Sequence, residues 1–169
     1  MNTDTRLIPL TQGKYATVDA VDYDYLNQWK WRAQKKCLSY GYTWYAIRLT
    51  SRPPRKAIIM HREVAERAGL PQSREYDHKD RDGLNNAREN LRPCTGSQNC
   101  ANRNKRSGTR SKYKGVCWHK ASGKWCAYIC VNQQRIHLGL FVNEEDAARA
   151  YNSAALKYFG EFACLNIIP

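Results

Sequence analysis

Asp, His and Asn residues are concentrated in one segment of the chain, REYDHKDRDGLNNARENLRPCTGSQNCANRN, which runs from residue 74 to residue 104. The segment contains too few apolar residues to be ordinary hydrophobic core. A histidine titrates near neutrality and can act as a general base, while carboxylate and amide oxygens bind hard divalent cations. The same residue types also satisfy the backbone of tight turns. The segment is therefore a candidate for chemistry, with three competing interpretations.

The first interpretation is a calcium-binding loop. In a register that starts at His78, residues typical of an EF-hand loop fall at the expected positions, namely Asp80, Asp82, Gly83 and Glu89. The register fails at its first position, where His78 replaces the usual Asp, and again at Asn85, where an apolar residue normally stands. Pro71 also disrupts an entering helix. We therefore disfavour a calcium loop.

The other two interpretations are a polar loop and a metal-dependent nuclease site. A polar loop would use Gly83 and Asn85–Asn86 to satisfy turn backbones, but it gives no reason for Asp77–His78, Asn90 or Asn99. Phosphodiester hydrolysis needs a nucleophilic water, a base that activates it and a cation at the phosphate. Magnesium keeps several waters and needs few protein ligands, so one carboxylate and one amide oxygen suffice.

Strands and helices are predicted on both sides of this segment. Before it, the runs KYATVDA, TWYAIRLT and RKAIIMHR predict strands, and HREVAERAGL predicts a short helix that ends at Gly69. After it, YKGVCWHK, KWCAYICV and QRIHLGLF predict three strands with turns at Gly123 and Asn132–Gln133. The alanine-rich helix EEDAARAYNSAALKYFG follows, with Asn143 as its predicted cap.

The N-terminal aromatic residues have two interpretations. Trp29, Trp31, Trp44 and Tyr45 are most simply explained as core or hairpin packing. Several basic residues lie near them in the sequence, so an accessory DNA contact is the alternative; these are Lys30, Arg32, Lys35 and Lys36.

Positive charge is unevenly distributed along the 169 residues, whose formal net charge is +13. Between Asn90 and Asn143 there is no Asp or Glu, but there are ten Lys and Arg residues. A block of one sign is better explained by a polyanionic partner than by a solvated face, and nucleic acid is the polyanion that we favour. RNKRSGTRSK within this block predicts a basic linker.

Composition excludes other classes of function. No stretch approaches the length of an apolar membrane span, and the N-terminus MNTDTRLIPLTQGK does not resemble a secretion signal. The seven cysteines form no C-x-x-C pair, which disfavours a zinc ribbon or finger and favours reduced thiols.

Residues 58–104 resemble the HNH endonucleases, in the H-N-N variant of phage and intron homing enzymes. The resemblance is carried by MHREVA, by DHKDRDGLNNARENLR and by Asn99 in SQN. It implies that two antiparallel strands and a helix surround one divalent metal ion, Mg²⁺ or alternatively Mn²⁺.

The HNH resemblance also implies residue roles. His78 would be the general base, Asp77 and Asn99 metal ligands, and Asn90 a brace that orients His78 through backbone hydrogen bonds. Asn86 would tie the connecting loop. Arg92 and Arg103 would contact phosphates, whereas His61 is better explained as a helix-start residue that packs beside the site.

Residues 113–168 resemble a second family, the Apetala-two/ethylene-response-factor DNA-binding domain. The YKG start, the HLGLF turn, the AARAYN helix and the FACLN end all agree in order. The resemblance implies a three-stranded antiparallel sheet in the DNA major groove, with the helix behind it. The plant family places arginines at several base-reading positions where this chain has Cys117, His119 and Cys130, so sequence preference is not inherited.

Strand alternation divides the predicted sheet into two faces. Trp125, Ala127 and Ile129 are expected to face the helix. The side chains expected to face DNA are those of Cys126, Tyr128 and Cys130 and, on the neighbouring strands, Cys117, His119, Arg135 and His137. We predict DNA contacts in the linker and the sheet, at Arg92, Arg103, Lys105, Arg106, Arg110, Lys112, Lys114, His119, Lys124, Tyr128, Arg135 and His137. Arg135 is the best candidate for a base-edge contact.

These observations predict an α+β protein with an N-terminal β-rich region (1–57), a ββα-metal, or His-Me finger, nuclease core (58–104), a basic linker (105–112) and a C-terminal three-stranded antiparallel sheet packed on one helix (113–169). The predicted function is a metal-dependent DNA endonuclease that hydrolyses double-stranded DNA. The alternative is a non-catalytic, sequence-specific DNA-binding regulator. We expect double-stranded DNA as partner, no membrane, no obligate protein partner, a monomer, and an intracellular location, in a bacterial cytoplasm if a phage encodes the chain.

Overall fold

The structure is a computed structural model that describes residues 4–38, 41–51 and 53–169. Among the described residues, the chain divides into two compact units, the first formed by residues 4–38 and 42–95 and the second by residues 96–169 together with Gly41. The sequence predicted four segments, and the boundaries of those segments remain a prediction. Within the described ranges, no helix is both long enough and apolar enough to cross a membrane.

In its described residues, the first unit contains three small sheets and two α-helices. Strands β1 (Thr5–Pro9) and β2 (Tyr15–Asp19) form an antiparallel hairpin, which leads into helix α1 (Ala20–Leu26). Strands β3 (Arg32–Leu38), β4 (Gly41–Leu49) and β5 (Ala57–Ile59) form a second sheet in that order, followed by helix α2 (Met60–Arg67). Strands β6 (Glu75–His78) and β7 (Leu91–Cys94) pair antiparallel. A loop that ends in a 3-10 turn, Arg88–Asn90, connects β6 to β7.

One hydrophobic core joins these elements. Side chains from both hairpins and both helices are almost fully buried together, among them Ile8, Val18, Leu26, Val64 and Leu91. Residues of the predicted N-terminal region therefore share a core with residues of the predicted nuclease segment. Trp31 belongs to this core, and its Nε1 donates a 2.8 Å hydrogen bond to the Leu26 carbonyl oxygen.

The second unit begins with helix α3 (Gly96–Ala101) and continues into a three-stranded antiparallel sheet. Its strands are β8 (Val116–His119), β9 (Lys124–Val131) and β10 (Gln134–Phe141), with β9 in the centre. Helix α4 (Glu144–Phe159) packs on one face of this sheet. The prediction of a C-terminal three-stranded sheet on a helix is confirmed.

Helix α4 lies close to the sheet because its inner side carries small side chains. Ala147, Ala148 and Ala155 are fully buried against Ala127 and Ile129 of the central strand. The approach is tightest at Gly115, where a Cβ would lie 2.0 Å from Cδ2 of Tyr151, and whose φ of +74° already favours glycine. Asn143 precedes α4 as predicted, but its side chain donates to the Asp146 carboxylate and makes no bond to the helix backbone.

Candidate nucleic-acid interface

The outer face of the second unit's sheet is the face opposite α4. Alternation along the strands places eight side chains there: Cys117, His119, Lys124, Cys126, Tyr128, Cys130, Arg135 and His137. The cross-strand pairs Cys117–Cys126, His119–Lys124, Tyr128–His137 and Cys130–Arg135 confirm that these side chains share one face. Trp125, Ala127 and Ile129 lie on the helix side, as the alternation predicted.

Arg135 lies across the middle of the outer face. Its guanidinium carbon is 3.7 Å from the centroid of the Tyr128 ring, and its Nη2 lies 4.0 Å from the Cys117 sulfur. Arg135 therefore reaches from an edge strand over the central strand, and a cation–π contact holds its planar donor group in place. An arginine held in this way is suited to bidentate recognition of a base edge.

The centre of the outer face carries no charge apart from this arginine. Burial raises the pKa of the Cys126 thiol, and the neighbouring Cys117 raises it further, so Cys126 is a neutral thiol at physiological pH. At the β8–β9 turn, His119 Nδ1 lies 2.8 Å from Ser122 Oγ, and both His119 and Lys124 are exposed. Positive charge is thus placed at the rim, on Lys124, and over the centre, on Arg135.

Three of the basic residues predicted to contact DNA make contacts inside the second unit. The Lys114 ammonium donates to the Ala101 and Arg103 carbonyl oxygens at 2.6 and 2.7 Å, which satisfies the C-terminal end of α3. The Arg110 guanidinium lies 4.6 Å from the Trp118 ring centroid, and Trp118 belongs to the helix side of the sheet. Lys112 pairs with Glu145 at 3.3 Å but stays exposed.

The remaining basic residues of the linker lie around the start of this unit. Lys105 Nζ donates to the Arg106 carbonyl oxygen at 3.0 Å, Arg106 is exposed and Arg103 is partly buried. The linker's end is fixed, because Glu144 Oε1 accepts hydrogen bonds from Ser111 Oγ at 2.6 Å and from the Lys112 backbone at 3.0 Å. DNA contacts by all these residues stay predictions.

Two asparagines that sequence reasoning quoted only as parts of motifs hold the second unit together. Asn152 exchanges two hydrogen bonds of 2.8 and 2.9 Å with the backbone of Asn166. The Asn166 side chain in turn exchanges two bonds of 2.7 and 3.0 Å with the backbone of Lys114. The helix, the C-terminal segment and the start of the domain are therefore joined, and the YKG, AARAYN and FACLN motifs contain the residues that join them.

In the first unit, the predicted metal ligand Asp77 and the predicted general base His78 lie at the end of β6 and are buried. Arg92 on the paired strand β7 donates to Asp77 Oδ2 from Nε at 2.9 Å and from Nη2 at 2.8 Å, and it is equally buried. Asp77 therefore forms a two-fold hydrogen-bonded ion pair across the hairpin, and Arg92 is engaged with it.

Asn90 braces the loop between β6 and β7. Its Nδ2 donates to Asp80 Oδ1 at 2.9 Å and to the Asn85 carbonyl oxygen at 2.7 Å, and its Oδ1 accepts from the Asp80 backbone at 3.1 Å. Its own carbonyl oxygen accepts from the Lys79 backbone at 2.9 Å, directly after His78. Asn90 therefore joins the two ends of this loop, and the catalytic role assigned to it stays a prediction.

The His78 ring lies in an aromatic cluster with His61 and Tyr45, at centroid distances of 5.1 and 6.0 Å. Its Nε2 lies 3.3 Å from Oδ1 of Asn86, whose Nδ2 donates to the Leu84 carbonyl oxygen. Burial lowers the pKa of His78 despite the Asn86 hydrogen bond, and burial lowers the pKa of His61 to about 3. Both rings are neutral at pH 7.

The fourth predicted residue, Asn99, lies in α3 and belongs to the second unit. Asp77, His78 and Asn90 are therefore brought together within the first unit, and Asn99 is assigned to a different unit. Among the described residues, no group of three or more His, Cys, Asp or Glu side chains is arranged to hold a metal ion. The divalent ion and its ligands Asp77 and Asn99 stay predictions.

Comparison with known proteins identifies one region of the chain. Residues 111–161 match the family model of the AP2 domain. An AP2/ERF and B3 domain-containing protein of Oryza sativa subsp. japonica is 48% identical over 56 residues, which cover 33% of this chain and 15% of that protein. The AP2-like ethylene-responsive transcription factor TOE2 of Arabidopsis thaliana is 38% identical over 66 residues, 37% of this chain and 14% of that protein.

A third relative is the AP2/ERF and B3 domain-containing transcription repressor TEM1 of Arabidopsis thaliana, 39% identical over 70 residues, 41% of this chain and 19% of that protein. The chain thus spans less than a fifth of the length of each of these relatives. No solved structure matches the chain significantly. The C-terminal domain is an AP2 domain, as its resemblance implied.

These relatives overturn the prediction of an enzyme. TOE2 is named as a transcription factor and TEM1 as a transcription repressor, so the prediction of a metal-dependent HNH endonuclease is wrong, as are the hydrolase, homing-endonuclease and phage-type assignments that accompanied it. The physical source of the error is that Asp, His and Asn suit both catalysis and structure. Here Arg92 pairs with Asp77, and His78 is buried among aromatic rings. A bacterial host likewise has no support.

Proposed function

We propose that the chain is a sequence-specific, non-catalytic DNA-binding regulator of transcription, in which the outer face of the β8–β10 sheet contacts the major groove of double-stranded DNA. The observation that carries this proposal is the match of residues 111–161 to the AP2 domain, whose matched relatives include named transcription factors.

The geometry of the second unit supports the proposal. The outer face is open on the side away from α4, and Arg135 is held above its centre by the Tyr128 ring. The segment from Asn90 to Asn143 contains ten basic and no acidic residues, so no carboxylate of this segment repels phosphates. In this arrangement Arg135 contacts a base edge, and Lys124 at the rim contacts a phosphate.

The test is selection of binding sites from a pool of random duplex DNA by the full chain. We expect one sequence motif to be enriched. Arg135→Ala should lower affinity for that motif by about 1–3 kcal/mol and relax the preference at one position, because a bidentate base contact is lost. Lys124→Ala should weaken binding to all sequences alike.

Arg149→Gln is the matched control, because Arg149 is an exposed arginine on α4, outside the outer face, and its partner is Asp146 at 2.9 Å. It should leave both affinity and motif unchanged. Recovery of no motif, or the same relaxation in Arg149→Gln as in Arg135→Ala, would contradict the proposal.

A further inference from the structure

Residues 25–62 form a second block of one charge sign. They contain nine Lys and Arg residues and no Asp or Glu. The rest of the chain, outside this block and the block of residues 90–143, contains all 15 acidic residues and only nine basic residues. Positive charge is therefore concentrated in two blocks, and the AP2 match overlaps only the block of residues 90–143.

The structure shows how two lysines of the first unit are presented. Lys35 Nζ lies 4.0 Å from the centroid of the Tyr42 ring, and Lys14 Nζ lies 4.4 Å from the centroid of the Trp44 ring. The two rings contact each other edge to face, with centroids 6.4 Å apart. Lys14, Lys35, Tyr42 and Trp44 thus form one cluster, which we term the lysine–aromatic patch.

Arg48 lies on the same strand as Tyr42 and Trp44 and is an example of a basic residue with a structural role, in contrast to the lysines of the patch. Its Nη2 donates to Glu63 Oε1 at 2.6 Å, both side chains are largely buried, and its guanidinium lies 4.1 Å from the Trp29 ring centroid. In the described parts of the chain, neither Lys14 nor Lys35 forms an ion pair with a carboxylate. The patch also remains open to solvent, because Tyr42 is 60% exposed and Lys35 is exposed.

Two ammonium groups without carboxylate partners, Lys35 exposed and Lys14 half-buried, lie beside the exposed Tyr42 ring and the half-buried Trp44 ring. This arrangement suits a polyanion whose sugars and phosphates lie close together. Lysine ammonium groups release counterions from DNA phosphates, and aromatic faces pack against sugars and bases. A lipid surface is a poorer match, because none of the four residues of the patch has an aliphatic side chain that would enter the acyl region.

We propose that the lysine–aromatic patch is a second DNA-binding surface, which contacts phosphates of the duplex outside the sequence that the AP2 domain reads. The proposal rests on the proposed function only in taking DNA as the ligand. A patch of this kind increases the affinity for DNA without adding sequence preference. It also makes the affinity fall more steeply as the salt concentration rises.

The test compares Lys14→Gln/Lys35→Gln with the control Arg149→Gln/Lys157→Gln, which removes two exposed charges from α4. Affinity of the full chain for random-sequence duplex DNA of about 40 base pairs is measured across a salt series. For the patch variant, the slope of log affinity against log salt should fall in magnitude by about 1.8, which is about 0.9 for each lost phosphate contact. The control should keep the wild-type slope.

The outcomes separate this proposal from the proposed function. An unchanged slope in the patch variant, with a sequence motif still recovered by selection, would overturn the patch alone. Absence of any motif, with the slope still reduced in the patch variant, would overturn the regulator and leave the patch in place. Loss of binding to phosphatidylserine vesicles in the patch variant, without a change in the DNA slope, would identify a lipid ligand and overturn the patch as a DNA surface.

Discussion

The two units use polar residues in opposite ways. In the first unit, buried carboxylates are paired with arginines, as in Asp77 with Arg92 and Asp22 with Arg67 and Arg88. On the outer face of the second unit, charges are exposed, and Arg135 rests on a ring without a carboxylate partner in the described residues. Residues of types common in catalytic sites can be structural when they are buried and paired. Residues of other types can form a binding face when they are exposed on one side of a sheet.

Asp22 shows how tightly the first unit depends on its buried charges. The carboxylate is fully buried and accepts three hydrogen bonds of 2.7 to 2.8 Å, two from Arg88 and one from Arg67. Burial alone would raise the pKa of Asp22, but the hydrogen bonds and charges of the two arginines outweigh it and lower the pKa below 3.8. Asp22 thus stabilises the fold above about pH 4, and this stability is lost as the pH falls through the lowered pKa.

The largest expected effect comes from breaking the buried pair in β6 and β7. Arg92→Met leaves the Asp77 carboxylate buried without its main partner, and the free energy of unfolding of the first unit should fall by about 3–5 kcal/mol. Denaturant titration followed by fluorescence of Trp29, Trp31 and Trp44 measures this. The double variant Asp77→Leu/Arg92→Met should recover most of the loss. If the double variant were as unstable as the single variant, the loss of stability would not come from leaving the Asp77 carboxylate buried and unpaired.

The second prediction concerns the second unit, whose stability depends on close packing at Gly115. Gly115→Ala places a Cβ against the Tyr151 ring, and it should cost about 1–3 kcal/mol from overpacking, with about 1–2 kcal/mol more for the left-handed backbone. Gly123→Ala is the matched control, since its φ is also positive at +61° but its Cβ would meet open space. Thermal unfolding should separate the two variants clearly. Equal destabilisation would mean that backbone conformation alone determines the requirement for glycine at residue 115.

Local sequence patterns predicted much of the second unit. A two-residue period assigned Trp125, Ala127 and Ile129 to the helix side, and the Asn132–Gln133 turn is present with both φ angles positive. Such features depend on a few neighbouring residues, so they can be predicted without knowledge of the tertiary fold.

Partners that are distant in sequence could not be predicted in the same way. The pairing of Asp77 with Arg92 depends on the register of β6 with β7, and the capping of α3 by Lys114 depends on where α3 ends. Residue types alone predicted a metal ligand at Asp77 and a phosphate contact at Lys114, and neither role anticipated these contacts; both roles stay predictions. The error in function came from the same source, because residue types alone do not distinguish an open site from a closed one.

The third prediction concerns the pH dependence of the first unit. His61 and His78 are neutral in the folded state because burial lowers the pKa of both, whereas unfolded histidine titrates near 6.5. Below pH 6.5 the unfolded state therefore binds more protons than the folded state. The free energy of unfolding should fall by up to about 1.4 kcal/mol per pH unit for each histidine.

Stability measured between pH 7 and pH 4.5 tests this expectation. His61→Phe should flatten the curve, because it removes one titrating group while it keeps an aromatic ring beside Tyr45. A stability that stays constant down to pH 5 would show that the two buried rings are protonated in the folded state.

The smallest expected effect comes from removing the ring that holds the Arg135 side chain in position on the outer face. If the Tyr128 ring holds Arg135 in position for DNA, Tyr128→Leu should weaken binding to the selected motif by about 0.5–1 kcal/mol, the usual strength of an accessible cation–π contact. Tyr128→Phe keeps the ring and removes only the hydroxyl group, so it should bind as the wild type does. Fluorescence anisotropy with the selected duplex measures both. Equal losses in the two variants would mean that the hydroxyl group contacts DNA directly and that Arg135 needs no support. A loss confined to the leucine variant would show that the Tyr128 ring holds the exposed Arg135 side chain in position. The ring would then do for Arg135 what the Asp77 carboxylate does for Arg92 in the first unit.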